Sequence, residues 1–299
     1  MISYAQNAED VLLARLFDGR ASGRYVDVGA SDPVEDSVTK HFYDLGWRGI
    51  NVEPIPSQAE ALRKARPGDV TLAVALGPKS GSAVLHHVVN RSGWSTLDGA
   101  LASTYRAEST LEVIEVEVEI RTLAEVLDEH SGHVDFLKID VEGEERGVIE
   151  GADWERHRPR VVVVEATEPG STKAAHHDWD PLMVEAGYRC ALFDGLNRFY
   201  AQADDTEALE LLAVPANVFD DYTRAEVAEQ REARMAEIAY IRRLEEALRE
   251  AEQTKQHELI EFDALRVAAQ HAEQETTRAR QRIAALEARL IELENAPRR

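Results

Sequence analysis

The 299-residue sequence predicts a doubly wound α/β domain with a mostly parallel sheet, followed by one long C-terminal helix. Three observations predict it. Over the first ~200 residues, near-continuous Val/Ile/Leu runs, the mark of strands covered on both faces, alternate with segments of helical apolar spacing. Four of the five runs end in or at an acid, and open α/β sheets bind ligands at the carboxyl ends of their strands. After Thr223 there is no glycine or proline until Pro297.

Val11, Leu12, Leu13 and Leu16 give the first helix its apolar face, behind Gln6, Glu9 and Asp10. The first strand, Arg24-Tyr25-Val26-Asp27-Val28, closes at Gly29-Ala30-Ser31-Asp32-Pro33, and the second, Gly49-Ile50-Asn51-Val52, at Glu53-Pro54. The later runs are 70–77, 134–143 and 160–166, with helical spacing over 37–46, 56–66, 122–131 and 144–154. Gly81 to Leu123 differs: 83–89 and 113–120 read as strands, and the second alternates strictly with acids, so one face meets water. Tyr188 to Tyr200, turning at Asp194-Gly195-Leu196-Asn197, reads as an antiparallel hairpin.

The strand ends carry the cofactor reading. Asp27 and Gly29 close the first strand, and Glu53 follows Gly29 by 24 residues, about the spacing that places a carboxylate on ribose hydroxyls. The turn lacks the second and third glycines that let backbone approach a pyrophosphate. A ribose ligand without phosphate fits better, and S-adenosylmethionine is the candidate, with Asp27, Gly29, Ala30, Ser31, Glu53 and Pro54 around it. The alternative is a core strand closing at a tight turn.

Chemistry is expected on the fourth and fifth strands. Alternation puts Lys138, Asp140 and Glu142 on one side, and charges inside an apolar run are costly unless paired or used. Methyl transfer needs acceptor oxygen and sulfonium held in line and the hydroxyl proton removed. Asp140 is the candidate base or base-positioner; Glu142 and Glu165 share the task or, with Asp140, hold a Mg²⁺ that lowers the hydroxyl pKa. A structural alternative pairs Lys138 with Asp140 and leaves Glu142 as a helix cap. His86-His87 and His176-His177 compete as bases. Asp178-Trp179-Asp180 has the D-x-D form of metal-dependent glycosyltransferases, although Asp180 before Pro181 also reads as a helix N-cap. Asn90-Arg91-Ser92 is a glycosylation sequon without a secretory context, and 77–81 lacks P-loop spacing.

The blocks Tyr4-Ala5-Gln6-Asn7-Ala8-Glu9-Asp10, Tyr25-Val26-Asp27-Val28-Gly29-Ala30, Asn51-Val52-Glu53-Pro54, Ser95-Thr96-Leu97 and Lys138-Ile139-Asp140-Val141-Glu142-Gly143-Glu144 resemble, in order, the FkbM family of S-adenosylmethionine-dependent O-methyltransferases. Ser37-Val38-Thr39 leading to Gly46-Trp47, and Arg158-Pro159 through Glu165-Ala166, extend the likeness over about residues 2–202. It implies the seven-stranded methyltransferase version of the doubly wound sheet, a cofactor cap from Gln6, Glu9 and Asp10, which otherwise simply begin the first helix, and methylation of a hydroxyl on a glycan or glycosylated natural product. Similarity to metal-using sugar O-methyltransferases supports the Mg²⁺ version.

Net charge is −22, and residues 222–299 hold 14 basic and 16 acidic side chains, which leaves −20 for the first 221. Such a head repels phosphate backbones and argues against nucleic-acid substrates. Cys190 stands alone, so disulfides within the chain are excluded and a reducing cytoplasm is expected. No secretory signal and no 18-residue apolar run is present.

The expected boundary lies at 221/222. Thr223-Arg224-Ala225-Glu226 has a capping-box pattern and Asn295-Ala296-Pro297 a stop. With Ile241 at a, 13 of the 16 a and d positions from 241 to 293 are apolar, Lys255, Glu258 and Thr276 being the exceptions. This is a coiled-coil signature, and the g-to-e pairs Glu261–Arg266, Glu275–Arg280, Arg282–Glu287 and Arg289–Glu294 are opposite in sign in a parallel homodimer. A non-enzymatic scaffold that recruits partners through its coiled coil is the remaining alternative.

Overall fold

The computed structural model describes residues 1–89, 92–107 and 110–294, with backbone alone for 92 and 290–294. The chain divides into two compact units, Met1–Ala228 and Glu229–Arg299.

The elements run β1 (Ile2–Ser3), α1 (Glu9–Leu16), β2 (Arg24–Val28), α2 (Lys40–Asp44), β3 (Arg48–Val52), α3 (Pro56–Ala65), β4 (Val70–Leu72), β5 (Ala75–Leu76), β6 (Gly81–Val88), α4 (Gly99–Ala107) and β7 (Val113–Arg121). They continue through α5 (Leu123–Glu129), β8 (Phe136–Ile139), α6 (Glu145–Glu150), β9 (Val161–Glu165), α7 (Asp180–Glu185), β10 (Tyr188–Phe193), β11 (Asn197–Gln202), α8 (Thr206–Leu212), β12 (Thr223–Arg224) and α9 (Ala225–Glu294).

Seven strands form the main sheet in the order β10-β11-β9-β8-β2-β3-β4. Only β11 runs against the others, pairing antiparallel with both β9 and β10. The chain winds outward from β2 to β4, returns to β8 beside β2, and winds the other way. The order therefore reverses between β2 and β8, where an open α/β sheet leaves a crevice beyond its strand ends.

Period-two alternation explains the two layers. Val26, Val28, Leu137, Ile139, Val162 and Val164 face one core with Val126 and Leu127 of α5, Val148 and Ile149 of α6 and Met183 of α7. Tyr25, Phe136, Val161, Val163 and Phe199 face the other, against Leu12, Leu13 and Leu16 of α1 and Leu209 and Leu212 of α8. Val161 to Val164 are all fully buried, each contributing about 1.5–3 kcal/mol of burial.

The run 70–77 is two strands, not one. Val70–Leu72 pairs with β3, whereas Ala75–Leu76 pairs with β7 in a second sheet ordered β5-β7-β6. An apolar run that changes sheets keeps its hydrophobicity, so the break left no mark in the pattern. In β7, Val118 and Ile120 are buried while Glu115, Glu117 and Glu119 are exposed, and the buried face meets Ile55, Ala75 and Leu85.

Thr223 and Arg224 pair in parallel with Ile2 and Ser3, and α9 begins at Ala225 straight from this strand. The stop at 295–297 lies outside the described residues. Within α9, Ile241, Leu244, Leu248, Phe262, Leu265, Ile283 and Leu286 are all exposed in the single chain. Among the described residues no helix is long and apolar enough to cross a membrane.

Candidate active site

At the crossover between β2 and β8 lies a cavity of about 510 Å³. Its floor is the loop after β2. Gly29 takes φ 80°, and its N–H and that of Ala30 donate to the Val52 carbonyl at 3.0 and 3.2 Å, tying the ends of β2 and β3 together. Ser31 follows at φ 48°, in the left-handed region. Glu53 fixes this turn. One carboxylate oxygen accepts the Ser31 N–H at 2.9 Å and the other the Ile55 N–H at 2.8 Å. Burial raises its pKa to about 7, and each oxygen keeps a second lone pair for a ligand.

Gln6, Gly29, Ala30, Ser31, Glu53, Pro54, Lys138, Asp140 and Glu142 all line this cavity. Asp27 does not. It is buried beneath the floor, where its carboxylate accepts the Thr39 hydroxyl at 2.7 Å and stands 3.8 Å from the Lys138 ammonium. Thr39 Oγ1 in turn accepts from the buried Arg66 guanidinium at 2.7 Å, so a polar chain runs from the cavity into the core.

Lys138 sits 3.1 Å from Asp140. Burial alone would lower its pKa, but Asp140 and Asp27 outweigh burial and hold the ammonium above its usual range. Asp140, Glu142 and Glu165 each offer a carboxylate oxygen within 4.8 Å of the others. Glu142 occupies φ 54° and caps no helix through its side chain. Burial first, then Asp140, raise the pKa of Glu142 to about 9 and that of Glu165 to about 11. Glu142 Oε2 and Glu165 Oε2 are buried and have no hydrogen-bond partner among the described residues. The loop carrying Glu142 is shaped by Glu145, whose carboxylate accepts the Val141 and Gly143 N–H groups, each at 3.1 Å.

Of the three N-terminal polar residues, Gln6 and Glu9 line the cavity and Asp10 does not. Glu9 is held by the Asn197 side-chain amide at 2.7 Å and the Asn7 N–H at 2.8 Å, and burial raises its pKa to about 7. Asp10 instead turns inward, accepting the Ser3 hydroxyl at 2.7 Å. Val74, Leu76, Leu85 and Leu97 supply an apolar wall, with Trp94 beside it. Thr96 latches that wall to the site by donating to the Glu142 carbonyl at 3.1 Å. No spacing rule joins such distant positions.

The competing motifs fall elsewhere. His87 contacts Ser95 at 2.9 Å, His86 lies beside Arg106 and Glu115, and His176 packs against Trp179 and Phe193. None of the four candidate histidines lines the cavity. Asp180 is not an N-cap: it lies inside α7, and its carboxylate accepts the Tyr200 hydroxyl and pairs with Arg198 at 3.2 Å. Asp178 faces Arg146 at 3.9 Å, so the two acids of the D-x-D do not share a metal position among the described residues. Asn90 and Arg91 of the sequon lie outside the described residues.

Residues 27–190, over half of the chain, match the family described as the Methyltransferase FkbM domain. Comparison with curated proteins finds no match. Among solved structures, a TehB-like SAM-dependent methyltransferase from Corynebacterium glutamicum aligns at 7% identity and a TM-score of 0.37, over 65% of this chain and 87% of that one. The fibrillarin/Nop5p complex aligns at 13% identity and a TM-score of 0.37, over 66% of this chain and 80% of the other. The calicheamicin-biosynthesis methyltransferase CalO1, in its SAH-bound form, aligns at 13% identity and a TM-score of 0.30, over 66% of this chain and 54% of that one. Likeness at this level carries no argument about chemistry.

Proposed function

This chain belongs to the FkbM family of S-adenosylmethionine-dependent methyltransferases, and we propose that it moves the methyl group to a hydroxyl of a glycan or glycosylated natural product. The observation that carries this reading is that Glu53, Asp140 and Glu142 line one cavity at the reversal of strand order, with the Glu165 carboxyl within 4.8 Å of the Asp140 and Glu142 oxygens. Glu53 accepts the ribose hydroxyls, the Gly29-Ala30-Ser31 turn and Gln6 flank the rest of the cofactor, and Pro54, Ile55 and the Val74–Leu76 wall take its adenine. At the other end Asp140 receives the hydroxyl proton or positions the group that does, and Lys138, seated on Asp27, holds Asp140 in place. Removing that proton in the transition state contributes about 10²–10⁴-fold.

The three carboxyls also fit a divalent cation. Glu142 Oε2 and Glu165 Oε2 are buried oxygens without hydrogen-bond partners among the described residues, and hard cations take such donors. Asp140, Glu142 and Glu165 would hold Mg²⁺, which supplies a lowered pKa for the acceptor hydroxyl.

The exposed heptad face of α9 is best satisfied by a second copy in parallel, with the g-to-e charges choosing the partner. The reading places the enzyme in the cytoplasm, without nucleic-acid partners. Release of S-adenosylhomocysteine on incubation with glycan and glycoside acceptors tests the activity directly. Transfer to an amine or carbon in place of a hydroxyl would overturn the acceptor assignment.

A further inference from the structure

We propose that the cavity separates methyl donor from spent cofactor by charge, binding S-adenosylmethionine more tightly than S-adenosylhomocysteine. The inference rests on assigning this cavity to S-adenosylmethionine.

Carboxyl side chains line the cavity at every level: Asp36 and Glu35 at its outer part, Glu9 and Glu53 along its floor, Asp140 and Glu142 at the end of β8. Lys138 is the one basic side chain among the described lining residues, and Asp140 at 3.1 Å and Asp27 at 3.8 Å already answer its charge. A cation entering the cavity meets surplus carboxyls and no opposing cation. A divalent ion on Asp140, Glu142 and Glu165 would leave the acids of the floor and outer part in place.

Methyl transfer changes the charge that these groups face. The acceptor oxygen forms its bond to the methyl carbon as the carbon–sulfur bond breaks, the electron pair stays on sulfur, and the hydroxyl proton passes to a carboxylate. The sulfonium becomes a neutral thioether, and the ligand's net charge falls from +1 to zero. In a partly dry cavity, losing one unit of charge among several carboxyls weakens binding by about tenfold or more. Spent cofactor then leaves readily, and fresh donor displaces it.

Isothermal titration of the full-length protein in EDTA, with S-adenosylmethionine, S-adenosylhomocysteine and sinefungin, tests this. Sinefungin carries an ammonium where the sulfonium stands, so it separates charge from the methyl group itself. The expected result is that S-adenosylmethionine and sinefungin bind at least about tenfold tighter than S-adenosylhomocysteine. The gap should narrow at high salt, and in Glu35→Gln and Asp36→Asn variants through weaker binding of the two cations. Equal or tighter binding of S-adenosylhomocysteine overturns the inference and leaves the cofactor assignment standing. Binding of none of the three overturns the cofactor assignment, and the inference with it.

Discussion

A Cβ placed on Gly29 would lie 1.8 Å from the carbonyl oxygen of Asp140, so the ends of β2 and β8 touch backbone to backbone where the strand order reverses. That contact places the floor of the cavity against the strand that carries Lys138 and Asp140. Gly29→Ala must push the two strand ends apart and also take φ 80°, which L side chains rarely adopt. A drop in Tm of several degrees and loss of measurable S-adenosylmethionine binding are expected by thermal scanning and titration. Wild-type values for both would show that the contact does not constrain the site.

Glu53 holds two backbone N–H groups as well as the proposed ribose. Glu53→Ala removes charge-assisted hydrogen bonds of about 1.5–3 kcal/mol to the ligand, so affinity should fall roughly 10- to 100-fold. Glu53→Gln, which keeps one carbonyl oxygen, should fall in between. Unchanged affinity in a folded Glu53→Ala protein would remove the ribose assignment.

Stability should fall as pH rises. Burial lifts Glu9, Glu53 and Glu145 to about 7 and Glu142 to about 9, all above the 4.5 of an ordinary glutamate. The folded protein therefore binds more protons than the unfolded chain between these values. The stabilisation is fully present below pH 4.5 and is lost as pH rises through 7 and then 9. Scans from pH 5.5 to 9.5 should show Tm declining by several degrees, with Glu142→Gln flattening the upper part. A Tm that climbs toward pH 9 would contradict the buried-carboxyl account.

Asp140→Asn keeps its shape but gives up its charge. Turnover should drop about 10²-fold or more while S-adenosylmethionine affinity changes little. Mg²⁺ at millimolar concentration should raise the Tm of the wild type and not of Glu165→Gln if the three carboxyls bind it. Near-normal turnover in Asp140→Asn would move the base elsewhere.

Cutting after Asp221 would strip β12 from β1, so the informative truncation follows Ala228, where the first compact unit ends. The full-length chain should scatter as a dimer and residues 1–228 as a folded, cofactor-binding monomer. Each exposed g-to-e pair is worth only about 0.2–1 kcal/mol, so the apolar seam supplies the stability. A monomeric full-length protein, or a dimeric 1–228 fragment, would refute this role.

Much of the architecture was legible because buried parallel strands write themselves as unbroken Val and Ile runs, as in Val161-Val162-Val163-Val164. The division of 70–77 was not, since Leu72 and Leu76 are equally apolar in whichever sheet they join. Glu53 and Asp140 were legible as acids closing strands, and the same rule picked Asp27. Alternation alone does not reveal that Asp27 points below the floor, because its partners Thr39 and Arg66 belong to other elements. The hold of Asn197 on Glu9, 188 residues away, is likewise invisible to any local pattern. At Asp180 the dipeptide with Pro181 suggested a cap, but tertiary partners, Tyr200 and Arg198, claimed the carboxylate.

Titration of the full-length protein with S-adenosylmethionine and, separately, with a nucleoside diphosphate sugar tests the central claim most directly. The account predicts one S-adenosylmethionine per chain with micromolar affinity, weakened at least about tenfold by Glu53→Ala, and no heat from the nucleotide sugar. Tight binding of the nucleotide sugar, with none of S-adenosylmethionine, would contradict it.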